Sequence, residues 1–366
     1  MERILQFSTN YVDTKQGLDI IESSVALTKE SMNYSKGMPK SEDYMKRNAI
    51  FKEALLQYAI DCCPQIANST LDIKTDMGFK KALNTYSNFK EVMFAVISET
   101  VQRANSKVEL QAILPFCEIH NLSDGDSMNF QLQPNNIIEF EAVGYSNNST
   151  RHQFQLNSNE VLVPKRIEAS VGCDLYQFNA GFFDWGQMMA DVIIGLRRAI
   201  QVEAMNLLFD QTDLVGTPFL NTTFTKATWI ALAEKLKAIN GANVTAIGTA
   251  SSFAKCCDGL DPRFYSNNVA DSILEAGYIT NVFGVKGLVL DQSVDTTKID
   301  YPFVLPEDKI MLISSTDRMI KILMEGDYYI KEDGGHNNAI MQRSFKLMTA
   351  WQMKKASSQM HGLQLL

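Results

Sequence analysis

The stretch that decides the fold is "GFFDWGQMMADVIIGLRRAIQVEAMNLLFD", Gly181 to Asp210. Asp184 is a candidate N-cap, since a carboxylate just before a helical run can accept the free amides of the first turn. Trp185, Met188, Met189, Val192, Leu196, Ala199, Ile200, Leu207 and Leu208 recur at helical spacing and make one apolar face. Gln187, Asp191, Arg198 and Gln201 line the opposite face. A helix over Asp184–Asp210 would be about 40 Å long at roughly 1.5 Å per residue, well beyond the usual length of about 11–12 residues. It presents no convergent polar groups of the kind that carry a reaction.

The residues before it change period. "MNFQLQ" (Met128–Gln133), "EFEAV" (Glu139–Val143) and "HQFQL" (His152–Leu156) alternate in the two-residue rhythm of half-exposed strands. The turn-rich Gly144–Thr150 between the last two predicts a hairpin whose outward residues are Glu139, Glu141, Gln153 and Gln155. A lone hairpin is marginal in water, so this one needs a neighbour to lie on.

Further toward the N-terminus, residues 1–107 read as helical. Gly17–Met32 carries Leu18, Ile21, Val25 and Leu27 among polar residues. A second helix opens at Ser41, a good N-cap, with Glu42 and Asp43 where the helix dipole favours acids. A third stripe, Phe79, Leu83, Tyr86, Met93, Val96, Ile97, Val101 and Ala104, predicts one continuous helix from near Asp76.

Beyond the long helix, residues 211–316 look mixed. "TKATWIALAEKLKAING" (Thr225–Gly241) is an amphipathic helix closed by glycine. "NVTAIG", "GLVLD" and "KIMLIS" read as short strands, with short helices at Thr249–Cys257 and Asn268–Ala276. Strands return in "RMIKILM", "DYYIKE" and "AIMQRSFKLMTAW", and Ala356–Leu366 reads as a weakly ordered tail.

Composition narrows the function. The chain has 366 residues, 45% hydrophobic and 21% charged, which suits a folded protein of two or three units. Its formal net charge is −8, and it has no block of Lys and Arg to neutralise phosphates, which disfavours nucleic-acid recognition. The N-terminus "MERILQFSTNYVDTKQ" lacks the apolar core of a signal peptide, and no apolar run reaches the roughly 18 residues of a membrane span. The expectation is a protein made and kept in a cytosol, without membrane association. Its six cysteines, Cys62, Cys63, Cys117, Cys173, Cys256 and Cys257, then read as buried reduced thiols.

Catalytic patterns are missing. There is no GxxxxGK[ST], GxGxxG, GxSxG or HExxH. His120, His152, His336 and His361 have no partners at metal-ligand spacing, so neither metal nor cofactor is expected. "SDGDS" (Ser123–Ser127) lacks the closing Glu of a calcium loop. "EDGGHNN" (Glu332–Asn338) leads into a strand rather than a phosphate-binding helix. Cys256 and Cys257 leave a thiol enzyme as a lesser alternative, although no histidine lies near them in sequence.

The α+β order of elements resembles the major capsid protein of tailed bacteriophages, the Hong Kong 97-type fold. "VLPEDKIMLISSTDRMIKI" (Val304–Ile322) is its most family-like phrase. The resemblance implies an N-terminal helical arm at 1–110, and an E-loop hairpin with the lead into the peripheral (P) domain at 111–175. It implies the P domain at 176–210 and 317–356, an inserted axial (A) domain at 211–316, and a tail at 357–366. The long helix becomes the spine, with Trp185, Met188, Val192 and Leu196 packed on P-domain strands. Glu139, Glu141, Gln153 and Gln155 become inter-subunit contacts. The implied function is a self-assembling structural subunit, not an enzyme. Copies join as hexamers and pentamers in an icosahedral shell around phage DNA, without sequence-specific binding and with portal, scaffolding or decoration proteins as possible partners. The setting is a virion assembled in the host cytoplasm. An encapsulin-type nanocompartment uses the same fold and stands as the alternative. Lys165 and Lys331 have no identifiable Asn partner, so no isopeptide cross-link is expected.

Overall fold

The computed structural model describes residues 14–34, 40–69, 71–73, 75–105, 115–123, 126–132, 158–172, 184–258, 277–292, 294, 299–314, 318–325, 329–333, 344–357 and 359–366. Five helices open the described chain: α1 (Lys15–Asn33), α2 (Glu42–Asp61), α3 (Pro64–Ala67), α4 (Asp76–Thr85) and α5 (Ser87–Ala104). Their starts are chemically marked. The Thr14 hydroxyl accepts from the Gly17 amide at 3.0 Å, and the Ser41 hydroxyl accepts from Tyr44 at 3.1 Å.

The single helix expected from Asp76 is two. Tyr86 has φ −111° and ψ 104°, an extended conformation that ends α4 before α5 begins. The break brings the fully buried rings of Phe79 and Phe89 edge to face, 5.7 Å between centroids. In one straight helix, residues ten apart would be separated by about 15 Å. The same apolar stripe therefore folds onto itself, which periodicity alone could not report.

Three sheets follow. The first contains β1 (Cys117–Leu122), β4 (Lys165–Gly172), β10 (Ile320–Glu325), β11 (Tyr329–Asp333) and β12 (Ser344–Lys355). β1 runs parallel to β10, with Cys117 opposite Ile320, and β12 pairs antiparallel with β10, β11 and β4. A two-stranded ribbon joins β2 (Met128–Leu132) to β3 (Ser158–Leu162). The long helix, α6 (Trp185–Leu208), lies between the helical layer and much of the first sheet: α1, α2 and α5 pack on it, as do β10 and β12, and α5 also reaches β11.

The remaining elements are β5 (Leu220–Asn221), α7 (Lys226–Asn240), β6 (Val244–Thr249), α8 (Ala250–Asp258), β7 (Asn281–Val282), β8 (Val285–Leu290), β9 (Lys309–Ser314) and β13 (Gly362–Leu365). Gly241 ends α7 at φ 63°, the left-handed conformation that glycine adopts without steric cost. The strands make a six-stranded sheet in the order β5-β13-β9-β6-β8-β7.

The C-terminal segment differs from the weakly ordered tail expected. β13 lies inside the six-stranded sheet, parallel to β5 and antiparallel to β9, and Leu363 and Gln364 are fully buried. β13 therefore belongs to the same sheet as β5 to β9. The physical reason is that Gly362 allows close approach: a Cβ there would lie 3.0 Å from Leu232 Cδ1 and 3.1 Å from the Phe219 carbonyl oxygen.

One continuous core takes in the helical layer, α6, the first sheet and the near face of the six-stranded sheet. A second core, built on Trp229, Leu232, Leu236, Phe253 and Leu312, fills the far face under α7 and α8.

Candidate assembly interface

The long helix is fixed at its first turn. Asp184 caps it, accepting from the Gln187 amide at 3.2 Å. The same carboxylate accepts from the Tyr44 hydroxyl (2.8 Å) and the Lys40 ammonium (2.5 Å). Burial raises the Tyr44 hydroxyl above its ordinary range, and the hydrogen bond to Asp184 adds to the shift, so Tyr44 remains a donor. Two residues after Asp184, position 186 is glycine for a steric reason. A Cβ there would meet Tyr44 Oη at 2.3 Å and the Leu27 carbonyl oxygen at 3.0 Å.

Trp185 is fully buried, Met188 and Leu196 are buried, and Val192 is half-buried against the main core. Trp185 departs from its expected neighbours. Its Nε1 donates to Ser24 Oγ of α1 at 2.7 Å, and its ring lies 5.8 Å from that of Phe51 on α2. The N-terminal helices, not the strands, receive it. The sequence carried a signal for this: α1 buries the small residues Gly17, Ser24, Thr28 and Ser31 on one face, which lets another helix approach closely. The helix meets the first sheet at its other end, where Trp351 Nε1 of β12 donates to Glu203 at 2.7 Å. Arg197 also stays within the chain, donating to the Ala104 carbonyl (2.9 Å) and Asn105 Oδ1 (3.1 Å) at the C-terminus of α5.

The expected hairpin is described only at its base. Leu132 pairs with Ser158 and Met128 with Leu162. Phe130 and Leu162 pack with Leu323 of the first sheet. The Val163 amide donates to Gln352 Oε1 at 2.6 Å. Glu139, Glu141, Gln153 and Gln155 lie outside the described residues, as do the predicted strands that carry them and the predicted helix Asn268–Ala276.

Two segments that cross between the large sheets are tied together. Asp213 accepts from Lys355 at 3.0 Å and lies 2.8 Å from His361 Nε2. Burial pushes the Asp213 carboxyl up, but Lys355 and His361 outweigh it and hold the group below the usual carboxylate range.

The groups that could do chemistry are structural in arrangement. Cys256 is buried, and that burial pushes its thiol up to about 12, so it is not a thiolate nucleophile at neutral pH. The Cys257 thiol donates to the Phe253 carbonyl at 3.2 Å. Glu118, His120 and Lys321 form a half-buried cluster on the first sheet, with His120 Nε2 2.6 Å from Glu118. Burial raises the Glu118 carboxyl; Lys321 and His120 together bring it below its ordinary value. The His120 ring stands edge-on to Phe130, 5.4 Å away, and supports the hairpin base. Among the described residues no group of His, Cys, Asp and Glu could hold a metal, and no helix is long and apolar enough to cross a membrane.

Residues 63–360 match the family described as "SPbeta prophage-derived putative capsid protein YonB". That is well over half of the chain, and the chain belongs to this family; it is a shell-forming capsid subunit. Helices α1 and α2 precede the matched region. Among solved structures, the chain is similar to "Capsid of native GTA particle computed with C5 symmetry", at 12% identity and TM-score 0.48, over 70% of this chain and 90% of that one. It is similar to "Asymmetric unit of bacteriophage PhiM1 mature capsid", at 10% identity and TM-score 0.44, over 68% and 85%. It is also similar to "Crystal structure of virus-like particle from Pyrococcus furiosus", at 10% identity and TM-score 0.39, over 74% and 99%. No curated protein sequence matches it.

Proposed function

We propose that this subunit assembles as hexamers and pentamers into an icosahedral shell that encloses phage DNA, with residues 133–157 serving as an E-loop laid across the neighbouring copy. The observation that carries this reading is the β2–β3 ribbon. It holds both ends of that segment together on one face of the first sheet, anchored by Phe130 and Leu162 on Leu323 of β10. The first sheet with α6 corresponds to the P domain, and the six-stranded sheet with α7 and α8 to the A domain.

The N-terminal helices fit a fixed layer of the plate better than an arm reaching under a neighbour, because Trp185, Gly186 and Asp184 all engage them within one chain. An acidic wall, with formal net charge −8, encloses DNA without gripping it. The subunit works without cofactor or catalysis. Portal, scaffolding or decoration proteins are its remaining partners, and assembly takes place in the host cytoplasm.

The test exploits the observed register. Because Leu132 faces Ser158, residues 133–157 can be replaced by Asn-Gly, which suits a two-residue hairpin turn. The shortened subunit is expected to keep its far-UV spectrum and melting temperature, yet to form no closed particles in electron micrographs. Normal particles from it would refute the E-loop assignment.

A further inference from the structure

The six-stranded sheet carries a different feature at each end. Between β8 and β9, a loop exposes three large apolar side chains within five residues: Ile299 is 94% exposed, Tyr301 60% and Phe303 56%. Such a cluster on an isolated subunit marks a surface that another protein covers.

The loop is held in place rather than merely exposed. Gln292 accepts from the Leu305 amide at 3.0 Å and donates to the Leu305 carbonyl at 3.1 Å. Val294 bridges to Phe303, and Leu305 is buried in the main core. Tyr301 has φ 44°, a left-handed conformation that a bulky side chain adopts only where its surroundings force it. Asp300 is exposed within the apolar tip and gives it a negative charge.

The other end offers a matching surface. Met360 is 50% exposed and Val215 65%. They stand on the two crossover segments that the Asp213–His361 contact ties together. Asn240 fixes Met360 through both backbone groups, at 2.7 and 2.8 Å. Lys237, exposed and one helical turn before Asn240, supplies a positive rim, while Asp213 is already paired with Lys355 and His361.

The register sets the separation. Leu365 lies opposite Lys309 and Gly362 opposite Leu312, so Met360 sits toward the Ser314 end of β9, whereas the apolar loop enters β9 at Lys309. The length of β9 puts the two surfaces about 17 Å apart along the strand.

We infer that these ends are the two halves of a head-to-tail contact between copies of this chain, the Ile299–Phe303 loop of one copy seating on the Val215/Met360 surface of the next. The inference rests on the shell-subunit reading. Apolar tip meets apolar patch, and the exposed Asp300 of the tip meets the exposed Lys237 beside the patch. Two different surfaces at opposite ends of one body generate a heterologous contact, which makes a ring when the rotation closes.

Cysteine pairing tests this directly. In particles built from the double variant Ile299→Cys with Met360→Cys, mild oxidation is expected to give a ladder of covalent oligomers on a non-reducing gel. Either single variant should stay monomeric on the gel. A bridge within one chain is excluded, since disulfides need Cα atoms within about 7 Å. Particles without a ladder overturn the contact and leave the shell reading standing. If the parent chain forms no particles at all, the shell reading fails first. A second variant, Phe303→Asp, should melt like the parent and lose assembly; normal particles from it would also overturn the contact.

Discussion

A chain shortened after Met360 loses the order of its six-stranded sheet. β13 supplies the ladder partner of both β5 and β9, and its removal detaches β5 and turns β9 into an unpaired edge strand. The removed strand carries the fully buried Leu363 and Gln364. Truncating one buried leucine to alanine costs about 2–5 kcal/mol, and here the leucine is lost together with its strand. A stability of roughly 5–15 kcal/mol for a whole domain does not absorb that change. Hydrogen exchange reads the outcome: amides of β9 and β6, slow in the full chain, are expected to exchange rapidly in the shortened one. Unchanged protection would show that β13 is dispensable.

Trp185→Ala should lower the stability of the dissociated subunit by about 3–5 kcal/mol in urea unfolding. Trp185 is fully buried where α6 meets α1 and α2, and its indole hydrogen bond to Ser24 lies inside the core. Thr100 lies 2.8 Å from the same Ser24 oxygen and keeps it partnered, so most of the loss comes from the cavity. Trp185→Phe is the informative comparison. It retains most of the volume and should cost about 1–2 kcal/mol for the missing hydrogen bond. Equal stability of the alanine variant and the parent would contradict the packing of α6 on the N-terminal helices.

What the sequence disclosed follows from the range of the forces involved. The long helix reads as Asp184–Asp210 and stands at Trp185–Leu208, because its period and its N-cap are local properties. The glycine that closes α7 and the apolar runs of β9 and β10 are equally local. The break at Tyr86 is not local: both halves share one stripe, and only the contact of Phe79 with Phe89 across the bend selects it. The C-terminal strand escapes for a related reason. "GLQL" is too short and too mixed to alternate convincingly, and its burial depends on β9, about 50 residues away in sequence, and on β5, far more distant still. The neighbour of Trp185 is likewise a tertiary choice between two apolar surfaces, although Gly186 and the small buried face of α1 hint at the close helix contact that decides it. The site residues are the least legible of all. Alternation marks Glu139, Glu141, Gln153 and Gln155 as outward-facing, but a contact between subunits is set by the second copy and not by a local pattern.

These features make a mechanical account of a shell subunit. A polar cluster at Asp184 and a close contact at Gly186 lock the helical layer to the central helix. Trp351 and Glu203 lock that helix to the first sheet, and the Asp213 cluster ties two of the crossovers to the six-stranded sheet. Each of these joints lies within one chain. The most direct measurement is electron microscopy of the purified full-length chain, with sedimentation on the same sample. The account predicts closed, hollow particles of uniform size that sediment as large assemblies. A protein that remains monomeric at every concentration, with no rings or shells in the micrographs, would contradict it.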